Sequence, residues 1–277
     1  MFELLKFPFV QNALIGGEIV AIIAGMLGPL LIFRKMSFIS VGISHGTFAG
    51  IALGIFLGIS PLWMAVAFAI GLGIFIGFVS RTGKISEDAT IGTLFAFSMA
   101  LGIWLISLNK GYHPDVMGYL FGDLLAISRK DMYFAVIILG ITMFWYLIRG
   151  KAVIYSSFDE DFSKIVGVPV EVDYYIFMAI AALVTVAAVR FVGVVLTSSI
   201  MIAPGVSAKM LSKRFSIITL LSVLFGMISI FIGIFISFEL NISSGPSVVF
   251  VATTIFFISL ILKWVRNRKV KTSLPRK

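Results

Sequence analysis

Apolar residues fill nine long runs of the chain, and the short segments between them carry most of the charged residues. Most runs are long enough to cross the hydrocarbon core of a bilayer as a helix. Open strands cannot satisfy their backbone groups in lipid, so the pattern predicts an all-α, polytopic membrane protein with eight or nine transmembrane helices. The nine runs are residues 11–33, 36–59, 62–80, 89–107, 131–148, 173–190, 192–208, 215–236 and 247–264.

The sixth and seventh runs meet at a short turn, Arg190 and Phe191. They can form two spans, or one span followed by a broken helix, so both nine and eight spans are compatible with the pattern. No polar stretch is long enough to fold as a soluble domain. We therefore expect residues 1–277 to form a single integral-membrane domain.

Basic residues are distributed unevenly between the runs. When alternate connections are assigned to opposite sides of a membrane, one side receives 17 of the 22 Lys and Arg residues, including seven in the tail at 263–277. This asymmetry predicts that the basic side is cytoplasmic, with the C-terminus inside. The formal charge of +9 is then explained by membrane anchoring, and we expect no nucleic-acid partner.

The second run, residues 36–59, contains a glycine at every fourth position. On a helix this spacing advances about 400°, so the glycines form a slowly drifting bare groove against which another backbone can pack. The run has no Asp, Glu, Lys or Arg, yet His45 lies near its middle. A metal-binding side chain inside a span is a candidate functional residue. The glycines are Gly42, Gly46, Gly50, Gly54 and Gly58.

A few other residues could supply ligands to an ion together with His45. Glu18 lies within the first run, where it can face a cavity between two subunits or reach toward the outer interface. Asp115 and Asp123 lie in the long outer connection. The sequence His113-Pro114-Asp115 is typical of a turn followed by a capped helix, and two donors are too few for a closed metal site. Met201 and Glu239 are further residues that could bind an ion together with His45.

The chain lacks the residues that would make it an ATPase or another enzyme. Its Gly-Lys pairs at 83–84 and 150–151 are followed by Ile85 and Ala152, where a phosphate-binding loop needs Ser or Thr. With two His residues and no Cys, a catalytic set is not visible. We expect no catalytic residue, no bound cofactor, and an energy source in a separate subunit.

The inner connection, residues 149–172, is the most highly charged loop. Its segment from Asp159 to Val166 begins with acidic residues and is followed by Gly167 and Pro169, which predicts a short helix with defined ends. Such a helix can be an ordinary solvated loop element. It can also be a docking element that fits a groove on a cytoplasmic partner.

The chain resembles the membrane-spanning permease subunit of ATP-binding-cassette (ABC) importers for zinc and manganese. The resemblance runs from Gln11 to about Leu262 and rests on seven stretches in the family's order. These stretches are QNALIGGEIVAIIAGMLGPLLIFRKMSF, ISHGTFAGIALG, EDATIGTLFA, DVMGYLFGDLL, DEDFSKIVGVPV, VGVVLTSSIMIAPGVSAKML and SSGPSVVF.

The resemblance implies a type II ABC importer-like permease in the cytoplasmic membrane of a prokaryote. Two copies of the chain would form a homodimer, joined by two cytoplasmic ATPase subunits and served by an extracytoplasmic metal-binding protein. The transported substrate would be zinc or manganese. The segment 159–168 would be the loop that couples the permease to the ATPase. It contains Asp159 and Glu160, and Asp161 and Gly167 stand at its most characteristic places.

The sequence departs from this family at one important position. Relatives typically carry an Asp four residues before the His of the second span, and Val41 stands there instead. His45 can therefore be a lone transient ligand, a ligand that acts with donors from other segments, or a buried residue bonded to a backbone carbonyl. Because carboxylates suit manganese and imidazole suits zinc, Val41 argues weakly against manganese.

Two alternative functions remain from the sequence. An importer of metal chelates or cobalamin would use a related permease, although such permeases are usually longer. A stand-alone secondary carrier would transport its ion without any ATPase, and the absence of intramembrane charge pairs in the sequence speaks against it.

Overall fold

The computed structural model describes residues 7–108, 122 and 127–272, and its regular elements there are all helices. Eight of them are long and apolar enough to cross a membrane, whereas α6 and α8 are too short. This supports the eight-span alternative for the described residues. The helices are α1 Pro8–Phe33, α2 Ile39–Leu57, α3 Pro61–Gly83, α4 Glu87–Leu108, α5 Arg129–Phe158, α6 Glu160–Ile165, α7 Val170–Val192, α8 Thr197–Leu211, α9 Phe215–Leu240 and α10 Ser244–Thr272.

The sixth and seventh apolar runs form one full span, α7, followed by the shorter helix α8. Gly193 ends α7 with a φ of 90°, a conformation that glycine adopts readily. α8 has 15 residues, which corresponds to about 22 Å, less than the roughly 30 Å of a hydrocarbon core. Its Lys209 ammonium group lies 4.5 Å from the centre of the Phe33 ring, so α8 ends where α1 ends.

The bundle has two chemically different ends. At the first, which we call the basic end, α1, α3, α8 and α10 finish, and Arg266 of α10 donates to the carbonyls of Met210 and Leu211 at 3.1 Å. At the opposite end, α1 begins and α9 finishes, and the ring centres of Phe9 and Phe238 lie 6.5 Å apart. Because α8 returns to the basic end between two full spans, α1 begins at the opposite end whereas α10 finishes at the basic end.

Three helices form the core of the bundle, and the others surround them. Of the 18 consecutive residues that are most apolar in each span, 72% are buried inside the chain in α1, α2 and α7. The corresponding share is 22% in α4 and α10. Large apolar side chains on the outer helices, such as Phe144, Leu147 and Phe250, are about 70% exposed or more. Lipid tails are as apolar as these side chains, so such exposure is the expected state in a bilayer.

The fifth span is longer than the sequence pattern predicts. We predicted that it ends near residue 148, but α5 continues to Phe158 without interruption. Arg149 stabilises this extension because its guanidinium forms an ion pair with Asp173 of α7 at 2.6 Å. The inner connection 149–172 therefore consists mainly of the last turns of α5, the short helix α6 and the start of α7.

Candidate functional site

Three of the glycines of α2 lie where this helix contacts α3. A methyl group added to Gly50 would come within 2.8 Å of the Ala65 Cα, and one added to Gly54 within 2.8 Å of the Pro61 Cα. At Gly46 it would overlap the Cδ2 atom of Leu72. The two backbones can therefore approach closely only because these positions lack side chains.

The first and last glycines of the series differ from the middle three. Gly42 faces α4, and a methyl group there would lie 2.7 Å from the Cγ2 atom of Ile91. At Gly58 an added methyl group would meet none of the described residues within 4 Å, and the φ of this residue is 68° because it caps the end of α2. Our assignment of Gly58 to the packing groove was wrong, since the four-residue spacing continues past the end of the helix.

His45 is half-buried in α2, and its ring is held by its own helix. The Nδ1 atom lies 2.9 Å from the Val41 carbonyl oxygen and 3.3 Å from the Ser44 hydroxyl. A carbonyl only accepts hydrogen bonds, so in the neutral ring Nδ1 carries the proton and Nε2 keeps the free electron pair. This is the arrangement that orients a histidine to bind a metal ion through Nε2.

The ring of His45 also contacts α4. The His45 and Phe95 rings meet edge to face, with their centroids 4.4 Å apart and their planes at 71°. Together the Val41 carbonyl and the Phe95 ring fix the direction of the imidazole. The bond to a backbone carbonyl that the sequence allowed is present, although the ring is only half-buried. This state is compatible with a role as a transient ligand.

Val41 faces a groove between α2, α8 and α10 that encloses about 330 Å³. Its polar lining consists of hydroxyl groups, among them Ser37, Ser198 and Ser199, and it contains no charged residue. An aspartate in place of Val41 would therefore point into an open, weakly polar space. A groove of this kind does not hold a cation tightly.

The structure does not gather the other sequence candidates around His45. One carboxylate oxygen of Glu18 is buried in α1 without a hydrogen-bond partner among the described residues. Met201 accepts a hydrogen bond from Thr185 at 3.5 Å, and Glu239 is exposed near the end of α9. Across the described ranges, no group of three or more His, Asp or Glu side chains could hold a metal ion.

The remaining candidate ligands, Asp115 and Asp123, lie outside the described residues, as does His113. Their contribution to a metal site stays a prediction.

The short helix α6 forms at the basic end, within one residue of its predicted bounds. The Asp159 carboxylate accepts a hydrogen bond from the Phe162 amide at 2.9 Å and so caps its first turn. Gly167 follows the helix with a φ of 88°. Apolar side chains of α6 and its C-cap point away from the bundle, with Phe162 62%, Ile165 82% and Val166 64% exposed.

The acidic residues of this segment have different environments. Asp161 is exposed, whereas Glu160 forms ion pairs with Arg81 at 3.1 Å and with Lys164 at 3.3 Å. No sequence pattern singles out Arg81, because a cation in the last turn of a span is typical of ordinary membrane anchoring.

Arg34, directly after α1, lies near the same carboxylate. It donates to the hydroxyls of Ser156 at 2.7 Å and Ser157 at 3.0 Å and so ties the ends of α1 and α5 together. Burial lowers the pKa of Arg34 from its ordinary value and the nearby Glu160 opposes this shift, so the guanidinium stays cationic. Two adjoining cavities of about 550 and 260 Å³ are lined by Arg34, Arg81, Glu87 and Glu160.

Comparison with known proteins decides the family. The model of the ABC 3 transport family matches residues 6–263. The chain belongs to this family. Its relatives include a manganese transport system membrane protein, MntC, of Halalkalibacterium halodurans, which is 36% identical over 260 residues, covering 93% of this chain and 88% of that protein.

Two further similarities extend over nearly the whole chain. The manganese import system permease protein ScaB of Streptococcus gordonii is 32% identical over 273 residues, covering 96% of each chain. A solved structure of PsaBC from Streptococcus pneumoniae in complex with Fab superposes with a TM-score of 0.83 at 33% identity, covering 93% of each chain. The predicted resemblance and the predicted all-helical permease fold are both confirmed.

Proposed function

We propose that the chain is the membrane-spanning permease of an ATP-driven importer for a divalent transition metal ion, with manganese as the principal substrate. The observation that carries this proposal is α6, a capped helix at the basic end whose exposed apolar residues have no partner among the described residues. Membership of the ABC 3 transport family and the names of the manganese-transporting relatives support the same function.

The basic end faces the cytoplasm in this proposal, because cytoplasmic segments of membrane proteins carry the excess of Lys and Arg. α6 is then placed where a cytoplasmic ATPase subunit can bind it. The exposed Phe162, Ile165 and Val166 would enter a groove of that subunit, and exposed Asp161 would lie at the rim. Hydrolysis takes place in the partner, since this chain has no phosphate-binding loop.

The ion path follows α2 between the two ends of the bundle. His45 supplies a neutral imidazole as one weak ligand, and the hydroxyl-lined groove at Val41 supplies polar surface without strong binding. Weak sites suit transport, because an ion must enter and leave within one cycle. A second copy of the chain would close the open side of this groove, and an extracytoplasmic metal-binding protein would deliver the ion at the opposite end.

Zinc is the second candidate substrate, and one observation favours it. The histidine oriented on α2 is a ligand that zinc accepts readily, whereas the carboxylate that suits manganese is replaced by Val41. Ion-stimulated ATP hydrolysis in liposomes, measured with the cognate ATPase and binding protein, separates the two ions. Stimulation by a metal chelate and not by the free ions would contradict the ion-importer proposal.

Docking through α6 is tested by one substitution and a matched control. Ile165→Glu places a charge at the most exposed apolar position of this helix, and we expect the ATPase subunit no longer to co-purify with the permease. Ile242→Glu introduces the same charge at an exposed isoleucine, 49% accessible, at the opposite end. Equal ATPase recovery with both variants would contradict docking at α6.

A further inference from the structure

Arg81 forms an ion pair that connects α6 to the helices of the bundle. The Nη2 atom of Arg81, in the last turn of α3, lies 3.1 Å from Oε1 of Glu160, and Nη1 lies 2.7 Å from Oε1 of Glu171 in α7. Within the described residues, Arg81–Glu160 is the ion pair that joins α6 to another helix; the other pair of Glu160, with Lys164, stays inside α6.

The Arg81 guanidinium stacks on the ring of a buried tyrosine, and this tyrosine contacts α4 in turn. Its guanidinium carbon lies 3.9 Å from the centre of the Tyr174 ring, a cation–π contact. Tyr174 is 2% exposed, and its hydroxyl donates a hydrogen bond to Oε1 of Glu87 at 2.8 Å. Glu87 is the first residue of α4, so the connection passes from α6 through α3 and α7 into α4.

α4 carries the connection along one face to α2. Glu87, Ile91 and Phe95 follow one another at intervals of four residues, so their side chains lie on the same side of the helix. Ile91 fills the bare surface at Gly42, one turn before Gly46. The Phe95 and His45 rings are in edge-to-face contact. A shift or rotation of α4 therefore changes the surroundings of the imidazole directly.

We propose that Arg81, Tyr174 and Glu87 are positioning residues that transmit movement of α6 to α4, and that α4 thereby reorients His45 during transport. This inference rests on the proposed function, in which α6 binds the ATPase. Each step from one helix to the next is a direct contact between named residues, and the step along α4 follows one face of that helix. The cavities beside Arg81 and Glu160 leave space into which α6 can move without breaking the packed core.

The chemistry of the links allows coupling to be tested apart from folding. The Arg81–Glu160 pair is partly exposed, with 21% and 40% of the side chains accessible, and such pairs contribute little to stability. The Tyr174 hydroxyl can be removed without changing the shape of the ring. Tyr174→Phe keeps the surface beneath Arg81 and removes the hydrogen bond to Glu87.

The experiment uses the complete transporter in proteoliposomes, with its ATPase, its binding protein and manganese, and measures ions imported per ATP hydrolysed. We expect Tyr174→Phe and Glu87→Ala each to lower this ratio about fivefold or more, the smallest effect typical of coupling between two sites. ATP hydrolysis itself should stay near the wild-type rate. The double variant should be no worse than either single variant, because both remove the same link.

Two conservative variants serve as controls. Glu87→Gln keeps a side-chain oxygen that can accept the hydrogen bond from the Tyr174 hydroxyl. Glu171→Gln removes the charge of an exposed ion-pair partner of Arg81, and this partner is not part of the proposed connection to α4. Both should import at nearly the wild-type ratio. An unchanged ratio in Tyr174→Phe would refute the connection. A parallel fall of uptake and hydrolysis would also refute it, since that result indicates a general defect in docking or folding.

Failure of this inference is distinguishable from failure of the proposed function. If the proposed function is wrong, the wild-type complex itself shows no metal-dependent hydrolysis. If only the connection is wrong, the wild-type complex transports metal and Tyr174→Phe transports it with the same ratio of ions to ATP.

Discussion

α2 contacts its two neighbours in different ways. Along α3 the contact is made by Gly46, Gly50 and Gly54, and at two of them the nearest atoms across the interface include the backbone of α3. Along α4 the contact is made by side chains, with Ile91 over Gly42 and Phe95 against His45. Backbones in contact cannot yield, whereas side chains can change rotamer.

This difference assigns separate tasks to the two contacts. We expect α2 and α3 to move as a rigid pair, because an approach of the two helices at Gly50 or Gly54 drives backbone atoms together. α4 can shift against α2 at modest cost, and the side chains that rearrange are the ones surrounding His45. The deformable contact thus lies beside the candidate ligand, at the part of α2 nearer the basic end.

The largest effect is expected where the contact is made with backbone. Gly50→Ala places a methyl group 2.8 Å from the Ala65 Cα and 2.9 Å from the Met64 carbonyl oxygen. Overpacking of this kind costs about 3 kcal/mol, and the better helix propensity of alanine returns less than about 1 kcal/mol. Net destabilisation of about 2 kcal/mol should lower the unfolding midpoint in mixed detergent micelles.

The matched control for this prediction is Gly71→Ala. Gly71 lies in α3, and a methyl group added there has none of the described residues within 4 Å. That variant should be as stable as the wild type or slightly more stable. Equal midpoints for Gly50→Ala and Gly71→Ala would contradict a rigid contact between α2 and α3.

A smaller effect is expected at Gly46, because the obstructing atom is the end of a leucine side chain. Gly46→Ala should cost about 1 kcal/mol, since the Leu72 side chain can give way. Leu72→Ala alone removes a buried side chain and should cost about 2 kcal/mol or more. In the double variant the total loss should be smaller than the sum of the two single losses, because the overlap between the new methyl group and Leu72 is gone. At Gly50 no second side-chain substitution can relieve the overlap, because the atoms of Ala65 and Met64 that face the added methyl group belong to the backbone. Strict additivity at Gly46 and Leu72 would show that they do not share a contact.

The smallest effect on stability is expected at Gly42. Gly42→Ala meets only the Cγ2 atom of Ile91 at 2.7 Å, and the alanine helix propensity offsets most of the strain, leaving less than about 0.5 kcal/mol. Because Ile91 belongs to the face of α4 that surrounds His45, manganese uptake should fall more than stability does. If Gly42→Ala took up manganese at the wild-type rate but lost much stability, the α2–α4 contact would be a rigid one, and the proposed difference between the two contacts would be wrong.

Much of this arrangement is readable from the sequence because it depends on local patterns. The spacing of glycine predicts a bare face on α2, and the order Asp159, Gly167 and Pro169 predicts a short helix almost at its observed bounds. The same local reading fails at Gly58, where the spacing continues into a helix cap. It also ends α5 too early, since the pairing of Arg149 with Asp173 depends on residues of another helix.

The connection through Arg81 depends on distant parts of the chain and could not be predicted. Arg81, Glu87, Glu160 and Tyr174 come from four helices, and each has an ordinary local explanation as an interfacial cation, a first-turn acid or a buried aromatic residue. Only their packing shows that they touch. His45 was found because an ionisable group is rare in an apolar span, but its contact with Phe95 required the fold.

The role of His45 is tested by measuring radioactive manganese accumulated in proteoliposomes that contain the permease, its ATPase and its binding protein. We expect ATP-dependent accumulation by the wild type and loss of at least about 90% of it in His45→Ala, because a ligand on the path is removed. Co-purification of the ATPase should be unchanged in that variant. Wild-type accumulation by His45→Ala would contradict the claim that the ion passes this residue.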